Sequence, residues 1–265
     1  VRPVVLSLCL AALTSAWAQA PSSHAQPNAL LAVDQNRATV IDRIVADFGG
    51  ALARTNAGID ATQLRHLLEG MRADFQQIDR LSSLIMDKAS RAQRIKAHTP
   101  NGTDLVAEFS PKLKWVKTSG NISRDKWGNL PGGEIFTSPF NVNGVFVVDG
   151  VVGDYLCQKY GDLKSTPLRI EITNTRITHL ACANKELLNE FAAYTRTDEN
   201  SNRVGEFAIG TNLAIHDIIG NILQDEKIPG IHMAFGHPYN EHTGQTWNSR
   251  THIDCVGRNF SIWFD

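Results

Sequence analysis

Two short apolar segments between Arg203 and Asp254 each carry a residue that an apolar interior does not accept alone, and this constrains the chain more than any other feature. GEFAIGTN (205–212) places Glu206 at the head of a strand-like run closed by glycine, between Val204 and Phe207. Burial of that carboxylate needs a partner. A cation is one such partner; Arg203 or a surface position are others. IHMAFG (231–236) sets His232 inside a second apolar run. A lone strand histidine is ordinarily satisfied by a hydrogen bond, but Tyr239 follows seven residues on, and the pair His252-x-Asp254 comes soon after. Residues i and i+2 of a strand share a face, so that pair is placed to hold one ion side by side. Neutral imidazole with carboxylate suits Zn, Co, Mn or Fe(II).

Other polar residues read less sharply. In NLPGGE (129–134), Pro131 and two glycines let the backbone turn tightly and fix the carboxylate of Glu134, which then leads the strand-like run IFTSPF. Alone, Glu134 reads as an exposed turn glutamate. His216 falls at an expected helix start, and His237 and His242 lie in a polar loop; all three read as surface residues or as supports for a ligand. Asp225-Glu226-Lys227 reads as a solvated acidic-basic turn, and residues 101–104 (NGTD) as a tight turn.

Hydrophobic periodicity changes along the chain. Residues 34–54 carry Val40, Ile41, Ile44, Val45 and Phe48 at helical spacing; a second helix is expected from Asp60 through Met71, and a third over 78–92. Beyond residue 95 strands take over. A hairpin is expected over 95–98 and 105–109 around Pro100-Asn101-Gly102, then strands at 113–116, 145–152, 168–172, 177–180 and 259–264, with one helix at 184–194. The expected class is therefore α+β. A signal-like segment and linker span 1–28, a helical region 29–95, and a β-rich metal-binding domain 96–265. The net charge of −1 offers no basic field for nucleic acid. Four widely spaced cysteines without a CxxC pair read as buried free thiols.

Taken together and in order, NGTDL (101–105), NLPGGEIFTSP (129–139), GEFAIGTN (205–212), NILQDEKIPGIHMAFG (221–236) and NSRTHID (248–254) resemble the metallo-aminopeptidases of the aminopeptidase T and AmpS type. The resemblance covers roughly the last two-thirds of the chain. Family members are longer, with a larger N-terminal domain. The resemblance implies two divalent metals (Zn, Co or Mn) held by Glu134, Glu206, His232, Tyr239, His252 and Asp254. It implies hydrolysis of N-terminal residues from peptides with a free N-terminus, by a hydroxide that the two metals share, with Glu206 or Glu134 passing the proton to the leaving amine. It further implies a homodimer, a cytoplasmic location, and no nucleic-acid or membrane partner.

Two rival readings stand beside this one. Dihydroxypyridine ring-cleaving dioxygenases resemble these aminopeptidases but use a single Fe(II), and His232, His252 and Asp254 would supply their two-histidine, one-carboxylate triad. A non-catalytic relative is the other. Location also has a rival, because 1–20 (VRPVVLSLCLAALTSAWAQA) pairs Arg2 with an apolar run and a small-x-small site at Ala16-Trp17-Ala18, as a secretory signal does. Its alternative is a buried strand over VVLSL. N-terminal sequencing of protein purified from whole cells separates the two locations: a mature start at Gln19 or Pro21 rules out the cytoplasmic one.

Overall fold

The computed structural model describes residues 4–7, 69–124 and 128–265. The chain divides into two compact units, residues 9–72 and the remainder (1–8 with 73–265). Of the smaller unit only residues 69–72 are described, and they form a 3-10 turn, Gly70–Arg72. The helices expected over 34–54 and from Asp60 lie outside the described residues apart from this turn. So does the signal-like segment, except for a short strand, β1 (Val4–Ser7).

The larger unit opens with helix α1 (Phe75–Ala89), which starts and ends three residues before the expected 78–92. Asp74 sets the start, its carboxylate accepting from the N–H groups of Gln76 and Gln77 at 2.9 and 3.0 Å. At the other end the chain is drawn into a sheet, Gln93 N–H donating to the Asp265 carbonyl. Phe75, Ile78, Ile85 and Ala89 form the buried stripe.

Among the described residues, twelve strands make two fully antiparallel sheets. The first contains β1, β2 (Arg94–His98), β3 (Asp104–Glu108), β6 (Asn141–Val148), β7 (Leu168–Thr173), β8 (Arg176–Ala181) and β12 (Ser261–Phe264), ordered β1-β12-β2-β3-β6-β7-β8. The second contains β4 (Val116–Thr118), β5 (Glu134–Thr137), β9 (Val204–Gly210), β10 (Gly230–Gly236) and β11 (His252–Val256), ordered β11-β10-β9-β5-β4. The expected hairpin is β2–β3, and Asn101 in its turn donates to Asp149. Two expected strands shift. The 113–116 strand becomes β4 because Leu113 turns back onto Ser110 and Lys114 N–H is taken by the Thr243 carbonyl. The 145–152 strand begins at Asn141 and ends at Val148, after which Gly150 N–H bonds the Val256 carbonyl. Helices α2 (Asp154–Tyr160), α3 (Lys185–Tyr194, capped by Asn184), α4 (Ile222–Asp225) and α5 (Asn240–Thr243) fill the connections. Only α3 was expected. The architecture is α+β. No helix among the described residues is long and apolar enough to cross a membrane.

One apolar core joins the two sheets. Ile95, Leu105, Val142, Phe146 and Ile170 come from the first, and Ile135, Phe207, Ile209, Met233 and Phe235 from the second. Helix α3 adds Phe191, edge-on to Phe235. Cys157, Cys182 and Cys255 are buried free thiols, as expected for the described cysteines. Phe207 is fully buried and meets Phe109 edge-on at 5.3 Å. Phe207→Ala should cost about 3–5 kcal/mol, read as a lower urea midpoint with an unchanged slope.

Candidate metal centre

The second sheet alternates its side chains between two faces, apart from a bulge where β9 pairs with β10 beside Ala234. Ile135, Phe207, Ile209, Ile231, Met233, Phe235, Ile253 and Cys255 take the face toward the core. The residues between them, Glu134 and Phe136 on β5, Glu206 on β9, His232 on β10, and His252 and Asp254 on β11, take the other face. Strand register brings them together: Ala234 stands opposite both Glu206 and Asp254, and Ala208 opposite both His232 and Phe136. These two alanines keep the middle of the face low, leaving room above it. Two glycines let the backbone close around it. Gly133 (φ +127°) precedes Glu134, and a Cβ there would lie 2.7 Å from Asn212 Cβ. A Cβ on Gly210 would lie 2.0 Å from the Ile228 carbonyl, so its absence brings the 226–228 segment against the sheet.

The expected ligands converge. His232 Nε2 lies 3.3 Å from Glu134 Oε2 and 3.8 Å from Glu206 Oε1. His252 Nε2 lies 3.4 Å from Glu206 Oε2 and 3.3 Å from Asp254 Oδ1. Two groups of ligand atoms, each within 4.8 Å, result: Glu134, Glu206 and His232, and Glu206, His252 and Asp254. Glu206 belongs to both. His252 Nδ1 is 2.9 Å from the His237 carbonyl. A carbonyl only accepts, so Nδ1 carries a proton, and Nε2, which faces the carboxylates, is the nitrogen left for a metal in place of its own proton. Tyr239 follows in the left-handed conformation (φ +48°), its N–H donating to His237 Nδ1 at 3.1 Å and its ring 4.8 Å from that of His252. A non-glycine residue at positive φ marks stored strain, and here it turns the phenol into the ligand pocket. His242 lines the same pocket, whereas His216 lies exposed in irregular chain rather than at a helix start.

Two residues read as solvated are at the centre of the site. Glu226 and Lys227 are buried, as is Asp225, whose carboxylate accepts from the N–H groups of Ile219, Gly220 and Asn221. Lys227 Nζ lies 2.7 Å from Glu134 Oε1 and pairs also with Glu226. Thr118 donates to the same Glu134 oxygen at 2.7 Å. Glu226 joins a third group of potential ligands, with His232 and Asp254. Their signal in the sequence is position: three charges wedged directly between the apolar Ile222-Leu223 and Ile228.

Burial raises the pKa of Glu206, the charge of His252 pulling it down and that of Asp254 adding to the rise. Burial pushes Glu134 upward too, but the Lys227 ammonium and His232 overcome it and hold the carboxyl below the ordinary range. Both imidazoles resist burial and are raised, His232 to about 9 by Glu134 and His252 to about 10 by Asp254. Such a cluster attracts cations of any kind, protons included. The donor set fits a divalent metal: hard carboxylate oxygens and borderline imidazole nitrogens converge within one pocket. The site opens into a cavity of about 280 Å³ walled by Val116, Thr118, Asn129, Phe136 and Tyr239.

The family described as thermophilic metalloprotease (M29) matches residues 73–264. The chain belongs to this M29 family. Its members are metallopeptidases, hydrolases that use divalent metals. The M29 chain is similar in fold to wild-type AmpT from Thermus thermophilus (TM-score 0.59, 20% identity, 78% of this chain and 56% of that one). It is similarly close to 2,5-dihydroxypyridine dioxygenase from Pseudomonas putida KT2440 (TM-score 0.58, 19% identity, 76% and 59%). It thus spans little more than half the length of either. No curated protein matches significantly.

A metal that binds only the folded M29 chain stabilises it by about 2.7 kcal/mol at a hundred times its dissociation constant. Chelation should therefore lower the unfolding temperature by about 5–10 °C, and a divalent metal should restore it in a calorimetric scan.

Proposed function

We propose that this chain is an aminopeptidase whose centre holds two divalent ions, Zn, Co or Mn. The observation that carries the reading is Glu206, which turns one oxygen to His232 and the other to His252 and so belongs to both ligand groups. Bound there, divalent ions supply an acidified water as nucleophile and polarise the scissile carbonyl. The protein's own residues do the rest. His252 is locked as a ligand by the His237 carbonyl. Val116, Phe136 and Tyr239 wall the cavity with apolar surface, suited to an aliphatic or aromatic N-terminal side chain.

For proton transfer to the leaving amine, Glu134 and Glu206 were the sequence candidates. Glu134 has Oε1 taken by Lys227 and Thr118, and Glu206 has an oxygen on each histidine. Glu226 lines the cavity, is required by neither group that shares Glu206, and is held by Lys227. It is the carboxylate left to carry the proton.

His232, His252 and Asp254 also make up the donor set of a mononuclear Fe(II) dioxygenase, on a fold shared with one. Metal content per chain, measured on anaerobically purified protein, separates the readings. About two equivalents of Zn, Co or Mn with turnover of leucyl anilides supports the aminopeptidase. About one of iron with oxygen uptake on dihydroxylated rings replaces it. Glu226→Gln should lower kcat by about 100-fold or more and leave the metal content unchanged; loss of metal would make Glu226 a ligand instead.

A further inference from the structure

Resting on the two-ion reading, the structure assigns a role to Lys227: we infer that its ammonium makes the two halves of the centre unequal, so that the Glu206–His252–Asp254 half fills first and the Glu134–Glu206–His232 half fills only at higher metal concentration.

The halves differ in what surrounds them. Lys227 is 1% exposed, so neither water nor salt screens its charge. It stands 2.7 Å from Glu134 Oε1, which Thr118 also engages, so Glu134 turns only Oε2 toward His232. An ion on that side meets a fixed positive charge and a carboxylate with one oxygen already committed. Among the described residues its imidazole has no partner on Nδ1 to select the ligating tautomer. The other half carries less of this, the charge of Lys227 acting on Asp254 only from beyond pairing distance. No ammonium pairs with Asp254 or Glu206 among the described residues. The His237 carbonyl fixes the tautomer of His252. His252 and Asp254 are 21% and 16% exposed, which gives an ion a way in. Lys227 is thus a positioning residue that acts on the metal through Glu134 and through its charge.

The test is a calorimetric titration of chelator-stripped protein with Zn or Mn, with bound metal counted after desalting. The wild type should show two events separated by about tenfold or more in Kd. Asp254→Asn should remove the tighter event and Glu134→Gln the weaker. Lys227→Met should tighten the weaker event about tenfold or more, whereas Lys227→Arg, which keeps the charge, should leave it in place. If Lys227→Met does not fold, Lys227→Gln takes its place: it removes the charge, keeps a donor for Glu134, and should tighten the weaker event in the same way. Two equal events in the wild type, or a weaker event that Lys227→Met leaves unchanged or weakens, overturns the inference alone. A single one-ion event in both wild type and Lys227→Met overturns the two-ion reading itself. A single event in the wild type that becomes two in Lys227→Met supports the inference.

Discussion

Mutual repulsion among buried carboxylates governs this structure. Glu134, Glu206, Glu226 and Asp254 all lie on or over one face of the second sheet, and all but Asp254 are less than a tenth exposed. Carboxylates packed this closely and away from water are tolerated only with positive charge among them. Lys227 supplies part of it from within the chain, and the two imidazoles, raised by their neighbours, supply more when metal is absent. A bound divalent ion does the same work with better geometry. The apolar core on the opposite face of the same strands holds the carboxylates in place against that repulsion, so the energy of ordinary packing is what keeps the metal donors assembled.

Much of this was legible in the sequence, and for a definite reason. Glu206 and His232 sit in short apolar runs where a polar side chain is conspicuous, and the i, i+2 spacing of His252 and Asp254 sends that pair to one face. Glu134 was legible only through the family resemblance, because its glycine-flanked turn by itself reads as exposed, whereas the residue is buried. Glu226 and Lys227 were not, because a short run of acidic and basic residues looks the same solvated or buried; only the approach of the Ile228 carbonyl to Gly210, a contact between distant parts of the chain, decides which. The same holds for α1, whose start depends on recognising Asp74 as a cap, and for β4, whose position depends on a hydrogen bond from Lys114 to Thr243. Local pattern sets which face a residue takes. Long-range contacts set where an element begins and what covers it.

The fold is shared with AmpT from Thermus thermophilus and with 2,5-dihydroxypyridine dioxygenase from Pseudomonas putida KT2440. A sheet face with two low positions, Ala208 and Ala234, surrounded by strand-borne carboxylates and imidazoles is a general metal platform. What is done there depends on how many donors remain available and on the loops that roof it. In this chain Tyr239, Thr118 and Glu226 come from such connecting segments or from the short edge strand β4, not from the three central strands.

Core and donors share the strands β9, β10 and β11 residue by residue, and this limits how such a chain can diverge over evolution. A one-residue insertion or deletion within any of these strands that no bulge absorbs, as one does where β9 pairs with β10 beside Ala234, would exchange the two faces beyond it, putting a carboxylate among phenylalanines and a phenylalanine among the donors. Length variation is therefore confined to the connections, 211–229 and 237–251, which hold the residues that roof the cavity. Descendants of this fold can gain or lose loops and with them substrates, but the spacing inside the three strands must be inherited unchanged.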